Sequence, residues 1–416
     1  MNILHINRYD TGGGAEHVAG VMHQACLRRG DDSHMAVAQK RGNTEACMQI
    51  PYHRCAQAWS ILAERLEHYA ISRRIPLIPR MAHALMRCDP VYREQLQRDK
   101  SGAEDFSNQY TPRLLKKFKR VPPSLIHAHN LHGGYFDLRY LPKLSNRIPT
   151  LITAHDAWLL SGHCAHHFDC MRWKSGCGEC PDLNIYPAIG RDNTANNWQL
   201  KKKIAEQSSV TIVAPSHWLA DLLKDSIWQN HPIEVVPNGV DTERFQPAKD
   251  RAGLRKELSL PEQSPVILTV AANIHISPFK DYACMLESFK RLSAFSDTQP
   301  ILWLCVGSRG EDIVSGQHVL RFIPSEQARS ENLIPRLYQA ADLLVHPARA
   351  ENYPLVLLEA MACGLPVVAS AVGGIPEIVD ASGAGYTCPS GDAQAMANAV
   401  RRILLQEQSV DWARLA

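Results

Sequence analysis

Short apolar runs alternate along this chain with longer segments whose apolar positions recur at helical spacing. The first run is MNILHIN at 1–7, followed by the glycine loop and amphipathic segment TGGGAEHVAGVMHQACLRRG at 11–30 and a second apolar run at 33–38. This order predicts a strand, a loop, a helix that ends near Gly30, and another strand. It is the order in which a parallel α/β sheet begins.

The other apolar runs fall into two series. The first series lies at 124–130, 149–156, 209–216 and 233–241. The second lies at 266–273, 301–307, 319–324, 342–348 and 366–370. We therefore predict an α/β fold of two doubly wound, Rossmann-like domains, at 1–240 and 263–416, with a polar linker at 241–262. Ligands of such sheets bind outside the carboxyl ends of the strands, so two sheets facing each other would enclose a cleft.

The segment 52–120 does not follow this alternation and is helix-rich and basic. Within it, RLLKKFKR at 113–120 is a candidate amphipathic basic helix. One interpretation is peripheral contact with an anionic membrane or a lipid-linked acceptor. The other, which the sequence favours, is a helix with a solvated face.

Composition narrows the class of protein. The chain has 416 residues, enough for two or three domains, and is 45% hydrophobic and 21% charged, as globular proteins are. A net charge of +3 gives no support for nucleic-acid binding. We see no secretion signal and no run near the ~18 apolar residues that a membrane span needs. We therefore expect a cytoplasmic protein, with the inner-membrane periphery as an alternative.

Two glutamates stand out in the stretch ENYPLVLLE, which runs from Glu351 to Glu359. Glu351 follows an apolar strand, and Glu359 falls in a predicted helix with Pro354 in its first turn and Gly364 at its end. Unpaired N–H groups at a helix start attract phosphate, and a carboxylate can accept hydrogen bonds from vicinal hydroxyls. The helix dipole alone also favours an acidic helix start, so the two glutamates by themselves favour a structural role.

The residues that follow favour a ligand-binding role for the two glutamates over a structural one. AMACGLPVV at 360–368 leads into a turn with Gly373 and Gly374, and Glu377 opens a further helix. The whole block at 347–379 resembles the donor-binding region of glycosyltransferase family 4. Its signature is Glu, seven residues, Glu and then Ala-Met-Ala-x-Gly-x-Pro-Val-Val. The family's enzymes are retaining and have GT-B architecture, so the resemblance implies the same two-domain fold as the apolar pattern.

Further segments extend the resemblance over most of the chain, and these are TGGGAEHVA at 11–19, TAHD at 153–156, APSHW at 214–218 and PNGVD at 237–241. A subgroup of bacterial exopolysaccharide (colanic-acid-type) transferases is similar in one more respect, since it shares the Ala-Ala-Asn form found at 271–273.

The resemblance implies three catalytic residues. Glu351 would contact the hydroxyl groups of the donor sugar, and Lys280 would neutralise the diphosphate leaving group. His155 would lie beside the reacting sugar. The family usually carries an Arg shortly before the Lys, near the place of Asn273 here, so Lys280 would act with less help or with help from Arg349.

The resemblance also implies a set of donor-binding residues. Glu359 would hold the ribose, and the glycines would let the backbone approach the phosphate groups, with those near residue 13 on the acceptor side. The set is Gly13, Gly14, Asn273, Glu359, Gly373 and Gly374.

Four cysteines with the spacing C-x5-C-x6-C-x2-C form a separate cluster, Cys164, Cys170, Cys177 and Cys180. In a reducing compartment such a cluster suits a tetrahedral structural zinc, which is the favoured hypothesis. Reduced thiols without metal, or two disulfides, are the alternatives. The resemblance implies that catalysis itself requires no metal or other cofactor.

The function implied is a retaining transferase that moves a sugar from a nucleotide-sugar donor to a growing polysaccharide or a lipid-linked glycan. A GT-B nucleotide-sugar epimerase and a non-catalytic nucleotide-sugar-binding protein are the alternatives. The segment that crosses back onto the N-terminal domain in this architecture is expected to be short or absent, because the chain stops at SVDWARLA. A hydrolase is disfavoured, since no suitable carboxylate pair stands out.

Overall fold

The computed structural model describes residues 1–50, 100–104, 108, 111–118, 121–295, 297, 299–329 and 333–405. The chain divides into two compact units, Met1–Pro215 with Ala220–Val236, and Ser216–Leu219 with Pro237–Ala416. Each unit is built on one seven-stranded sheet. The predicted α/β fold with two doubly wound sheets is confirmed.

The sheet of the first unit is parallel throughout, in the order β3-β2-β1-β4-β5-β6-β7. Its strands are β1 Asn2–Tyr9, β2 Asp32–Gln39, β3 Cys47–Gln49, β4 Leu125–Ala128, β5 Thr150–Thr153, β6 Thr211–Ala214 and β7 Ile233–Val235. Helices cover both faces of such a sheet, and its central strands β1, β4 and β5 are mostly buried.

The sheet of the second unit has the order β10-β11-β9-β8-β12-β13-β14, in which β10 pairs antiparallel with β11 and the other neighbouring strands named here pair in parallel. Its strands are β8 Val266–Val270, β9 Leu302–Val306, β10 Ile313–Ser315, β11 His318–Ile323, β12 Leu343–His346, β13 Val367–Ser370 and β14 Gly385–Cys388. One hydrophobic core lies on each face of this sheet.

The helices connect these strands. In chain order they are α1 Gly14–Arg28, α2 Leu141–Ser145, α3 Thr194–Gln207, α4 His217–Lys224, α5 Arg251–Glu257, α6 Tyr282–Leu292, α7 Ser325–Arg329, α8 Leu333–Ala340, α9 Leu355–Ala362, α10 Ile375–Ser382 and α11 Ala393–Leu404. Short 3₁₀ helices occur at Thr111–Phe118, Leu138–Tyr140, Trp158–Leu160 and Arg172–Lys174. Among the described residues no helix is both long and apolar enough to cross a membrane.

Both sheets reverse their strand order at one point, between β1 and β4 in the first and between β8 and β12 in the second. A crevice forms outside the carboxyl ends of the strands at such a switch point, and ligands bind there. The loops that follow these four strands therefore hold the positions where a site is expected.

One local feature differs from the sequence-based expectation. Pro354 is extended, with φ −71° and ψ 123°, and caps α9, which begins at Leu355. The segment 241–262, predicted as a linker, belongs to the second unit. Its helix α5 is anchored by the buried Arg255, whose Nε donates to the Ala340 carbonyl at 2.9 Å. The domain limits 1–240 and 263–416 stay a prediction.

The segment 52–120 is described only in part. Residues 51–99, 105–107, 109, 110, 119 and 120 lie outside the described residues, as does the end of the chain from 406. Of the candidate basic helix at 113–120, residues 113–118 belong to the 3₁₀ helix Thr111–Phe118.

Candidate active site

The first candidate site lies in the second unit, after β12, where Glu351 pairs with Lys280. The Lys280 ammonium donates to Glu351 Oε1, and His346 Nε2, at the end of β12, lies 3.2 Å from the same oxygen. The side chains of Lys280 and Glu351 are each 18% exposed, whereas His346 is 1% exposed. The structure thus brings together two of the three predicted catalytic residues.

The charges of this group set the state of the carboxylate. Burial raises the pKa of Glu351, but the charge of Lys280 and the hydrogen bond with His346 outweigh it and hold the pKa at about 2. Burial lowers the pKa of His346, and the charge of Lys280 lowers it further. Near neutral pH, Glu351 is therefore an anion between an ammonium and a neutral imidazole.

Backbone pairing holds Lys280 beside the loop of Glu351. Lys280 forms an isolated antiparallel bridge with Ala348, and the Phe279 carbonyl accepts from the N–H of Arg349 at 2.9 Å. The turn after β8 begins at Asn273, which has a φ of 51° and accepts two backbone N–H bonds from the following residues. Asn273 thus lies in the loop after β8, one of the two strands at the switch point.

Gly373 and Gly374 let the turn after β13 approach the Glu351 loop. A Cβ on Gly373 would overlap the carbonyl oxygen of Glu351, and one on Gly374 would overlap that of Asn352. The Gly374 N–H donates to the Asn352 carbonyl at 2.9 Å. The two predicted donor-binding glycines therefore pack directly against the loop that carries Glu351.

Replacing Gly373 by Ala is expected to destabilise the protein by more than about 3 kcal/mol in the free energy of unfolding. The φ of Gly373 is 56°, which costs a residue with a side chain about 1–2 kcal/mol, and the overlap with Glu351 adds the cost of moving a backbone. Gly383→Ala is the matched control, because φ there is 66° but nothing lies within 4 Å of its Cβ position. Urea unfolding of both variants measures the difference, and equal losses would contradict the close approach.

Glu359, the second glutamate of the motif, lies on α9. Tyr338 Oη, from α8, donates to Glu359 Oε2 at 3.0 Å. Burial raises the pKa of Glu359, while the hydrogen bond from Tyr338 and the charge of Arg244 oppose the rise. Glu359 keeps one carboxylate oxygen outside this bond, which suits it to accept from hydroxyl groups.

The second candidate site lies in the first unit, at the carboxyl ends of β1 and β5. Gly13 caps α1 and Gly14 opens it, and both glycines are exposed. The Gly13 carbonyl accepts from the N–H of His17 at 3.0 Å. The first N–H groups of a helix have no partner within the helix, so this loop can approach an anionic group.

His155, the third predicted catalytic residue, follows β5 and contacts a second histidine. Its Nε2 lies 3.0 Å from Nδ1 of His129, which follows β4. Burial lowers the pKa of His155 to about 4, although the charge of Asp156 opposes this. Asp156 Oδ2 lies 3.1 Å from His132 Nε2, and its Oδ1 accepts from the Trp158 N–H at 2.9 Å. His155 is therefore a neutral imidazole that can donate or accept one hydrogen bond.

The four cysteines of the cluster line one small cavity of about 20 Å³, together with His163 and His167. The Gly162 N–H donates to Cys177 Sγ at 3.2 Å, and His163 Nε2 lies 3.3 Å from Cys180 Sγ. Burial raises the pKa of Cys164 to about 11 and that of Cys177 to about 12. The sulfurs share a cavity with room for a single ion or water molecule.

Sequence reasoning missed three contacts of these sites. His346 is a polar residue in an otherwise apolar strand, and this pattern could have identified it as a candidate site residue. The hydroxyl of Tyr338 and the ring of His129 meet their partners through tertiary packing, and nothing in the spacing of the motifs indicates either contact.

Comparison with known proteins supplies an independent view of the chain. The family described as Glycosyltransferase Family 4 matches residues 12–244, and the family described as Glycosyl transferases group 1 matches residues 264–406. The putative colanic acid biosynthesis glycosyl transferase WcaC of Escherichia coli K12 is 26% identical over 92% of this chain and 86% of its own. The N-acetyl-alpha-D-glucosaminyl L-malate synthase of Bacillus anthracis is 30% identical over 53% of this chain and 56% of its own.

Solved structures share the fold. WaaG, a glycosyltransferase involved in lipopolysaccharide biosynthesis, superposes with a TM-score of 0.59 at 14% identity, covering 99% of this chain and 93% of its own. HepE of Anabaena in complex with UDP superposes with a TM-score of 0.55 at 16% identity, and the match covers 100% of this chain and 93% of the HepE chain. These likenesses confirm GT-B architecture.

Proposed function

This chain belongs to glycosyltransferase family 4, and we propose that it transfers a sugar from a nucleotide-sugar donor to a growing polysaccharide or lipid-linked glycan. It is a glycosyltransferase, and the family matches do not favour an epimerase or a non-catalytic binding protein. The observation that carries the proposal is the group of Lys280, Glu351 and His346 at the switch point of the second sheet. Similarity to a colanic acid biosynthesis glycosyl transferase and to HepE in complex with UDP supports the substrate class.

The chemistry of transfer matches the charges of this group. Departure of a nucleoside diphosphate builds negative charge, which fixed positive charge and helix N-termini stabilise. Lys280 would supply the positive charge, and the start of α9 lies a few residues beyond Glu351. Glu351, ionised at working pH, would accept hydrogen bonds from the hydroxyl groups of the donor sugar. Retention of configuration is part of the proposal, through front-face attack with the leaving phosphate as base.

The remaining predicted residues take supporting roles in this proposal. Glu359, oriented by Tyr338, would accept the ribose hydroxyls, and Asn273 and the two glycines after β13 would shape the donor pocket. His155 would hydrogen-bond the sugar or its acceptor. The glycine loop before α1 would approach the anionic part of the acceptor side. Catalysis would require no metal.

A thermal-shift series with UDP, GDP, ADP and CDP, and then with their sugar conjugates, tests the donor assignment. Binding to the native state stabilises it by about 2.7 kcal/mol at a ligand concentration of 100 times Kd. We expect one nucleotide to raise the melting temperature, and Glu359→Ala to abolish the shift. Glu326→Ala, at an exposed ion pair with Arg309, is the control and should keep it. The donor proposal fails if folded wild-type protein responds to none of them.

Product analysis separates transfer from the alternatives. A transferase releases nucleoside diphosphate only as sugar reaches an acceptor, whereas an epimerase converts the donor without one. A binding protein shifts the melting temperature but releases nothing.

We also propose that Cys164, Cys170, Cys177 and Cys180 bind a structural zinc ion. Their common cavity supports this, and zinc would convert thiols that burial keeps protonated into thiolate ligands. The turn that closes the cluster has positive φ at Cys177 (55°) and Glu179 (45°), an unusual backbone that a bound metal would help to hold.

Cys177→Ser is expected to remove about one zinc ion per chain and to lower the melting temperature by about 5 °C or more. The cause is the loss of binding energy that contributes to folding. Cys26→Ser, a free cysteine on α1 of the same unit, is the control. Elemental analysis and thermal unfolding measure both effects, and a Cys177→Ser protein that keeps all its zinc would refute the site.

Peripheral contact with an anionic membrane is proposed as the means of reaching a lipid-linked acceptor, with the basic segment at 113–120 as its support. Co-sedimentation with phosphatidylglycerol vesicles tests it, and binding that is equal on neutral vesicles would contradict it.

A further inference from the structure

Three histidine rings lie on one face of the first sheet, at its switch point. His5 on β1 and His127 on β4 are register partners, and His129 follows two positions further along the chain. Residues two apart in a strand direction face the same side, so all three rings meet. They are 1%, 4% and 2% exposed, in that order.

The rings present metal-ligating atoms to one another. One ligand atom from each of the three histidines lies within 4.8 Å of the other two. Among the described residues, this is the one group of three or more His, Cys, Asp or Glu side chains whose ligand atoms lie this close together. The sulfurs of the cysteine cluster are spread more widely around their cavity. Zinc binds imidazole nitrogens at about 2.0–2.1 Å, so the three rings would reorient to bring their nitrogens onto one ion.

Several ring nitrogens of the group have no hydrogen-bond partner in the described chain. Both nitrogens of His5 and Nε2 of His129 are buried and unpaired. Buried polar atoms are normally satisfied, so an unpaired set at one point indicates an absent ion or water.

Other groups hold the far sides of the rings. His127 Nε2 lies 2.7 Å from Thr153 Oγ1, and His129 Nδ1 lies 3.0 Å from His155 Nε2. Metal-binding histidines usually donate their second ring N–H in this way, which fixes the tautomer. The neighbouring His23 is already occupied, by Ser33 Oγ at 2.8 Å and the Glu45 carbonyl at 2.9 Å.

We propose that His5, His127 and His129 bind one divalent transition-metal ion of the zinc, cobalt or nickel class. Imidazole ligands select these ions over magnesium and calcium, which prefer oxygen ligands. A bound ion would also keep the proton of His129 on Nδ1. That N–H would then donate a hydrogen bond to Nε2 of His155. The site is independent of the donor assignment and of the cysteine cluster.

Cobalt binding to chelator-treated full-length protein tests the site. Cobalt gives visible d–d absorption at either site, and thiolates add near-ultraviolet charge transfer, so the imidazole contribution is measured as the d–d absorption that remains in Cys177→Ser. We expect the imidazole-type absorption to be lost in both His5→Phe and His129→Phe. It should persist in His231→Gln, a histidine of the same unit whose nitrogens face the Val210 and Ala205 carbonyls.

The melting temperature of the wild type and of His5→Phe, with and without metal, gives a second measurement. If the histidines bind metal, cobalt or zinc raises the melting temperature of the wild type more than that of His5→Phe. If the histidines form only a buried cluster without metal, His5→Phe removes two unpaired nitrogens. The variant then melts at a higher temperature than the wild type, both with and without added metal. An absence of imidazole-type absorption in the wild type, or its survival in both variants, would overturn the proposal.

Discussion

Glu351→Gln is expected to lower kcat by about 100-fold or more while the protein remains folded. The amide keeps the shape of the side chain but loses the charge that faces Lys280 and the strong acceptor oxygen for sugar hydroxyls. Removing a charged group that acts in the transition state costs about 10²–10³ in rate. Initial rates of nucleoside diphosphate release, with the donor identified by thermal shift, measure this effect.

The same substitution also has a stability effect with a defined pH dependence. The pKa of Glu351 is depressed from its ordinary 4.5 to about 2. The ion pair therefore contributes its full stability above a pH of about 4.5 and loses it as the pH falls toward 2. We expect Glu351→Gln to be less stable than the wild type at neutral pH and to approach it in acid.

Glu326→Gln is the control for general loss of an ion pair. Its pair with Arg309 is exposed on both sides, with 78% and 68% of the side chains accessible, and exposed pairs contribute ~0–1 kcal/mol. This variant should keep both activity and stability. Wild-type turnover in Glu351→Gln would remove Glu351 from the catalytic group.

The sequence predicted the central strands and the places of the site loops, for a clear physical reason. Strands covered by helices on both faces, such as β8 and β9, are continuous apolar runs, and the site lies where such runs end. The short edge strands β3, β10 and β14 were not predicted, because their few residues give neither a run nor a period.

The contacts within the sites were the part that could not be predicted. The resemblance assigned Lys280 to the diphosphate and Glu351 to the sugar, but not the ion pair between them. Periodicity fixes which face of an element a residue occupies, whereas its partner on another element depends on packing. The histidines of HAHN at 127–130 show the same limit, since only the register of β1 with β4 brings His5 to them.

Lys280→Gln is the second substitution expected to have a large effect, with a fall in kcat of about 10²–10³. Glutamine can still donate a hydrogen bond to Glu351, but it carries no charge to offset that of a departing diphosphate. The loss should appear mainly in kcat, because the charge on the leaving group develops in the transition state. Donors with better leaving groups should recover part of the rate.

The double variant Glu351→Gln/Lys280→Gln decides whether the two residues act as a unit. Residues in contact are non-additive, with coupling energies of about 0.5–3 kcal/mol. Each single variant leaves a partly buried charge without its oppositely charged partner, while the double variant leaves two neutral amides that can bond to each other. We therefore expect the double variant to be more stable than the sum of the single losses predicts, and scarcely slower than the worse single variant. Strict additivity in both stability and rate would mean that the pair is no more than two independent residues that happen to touch.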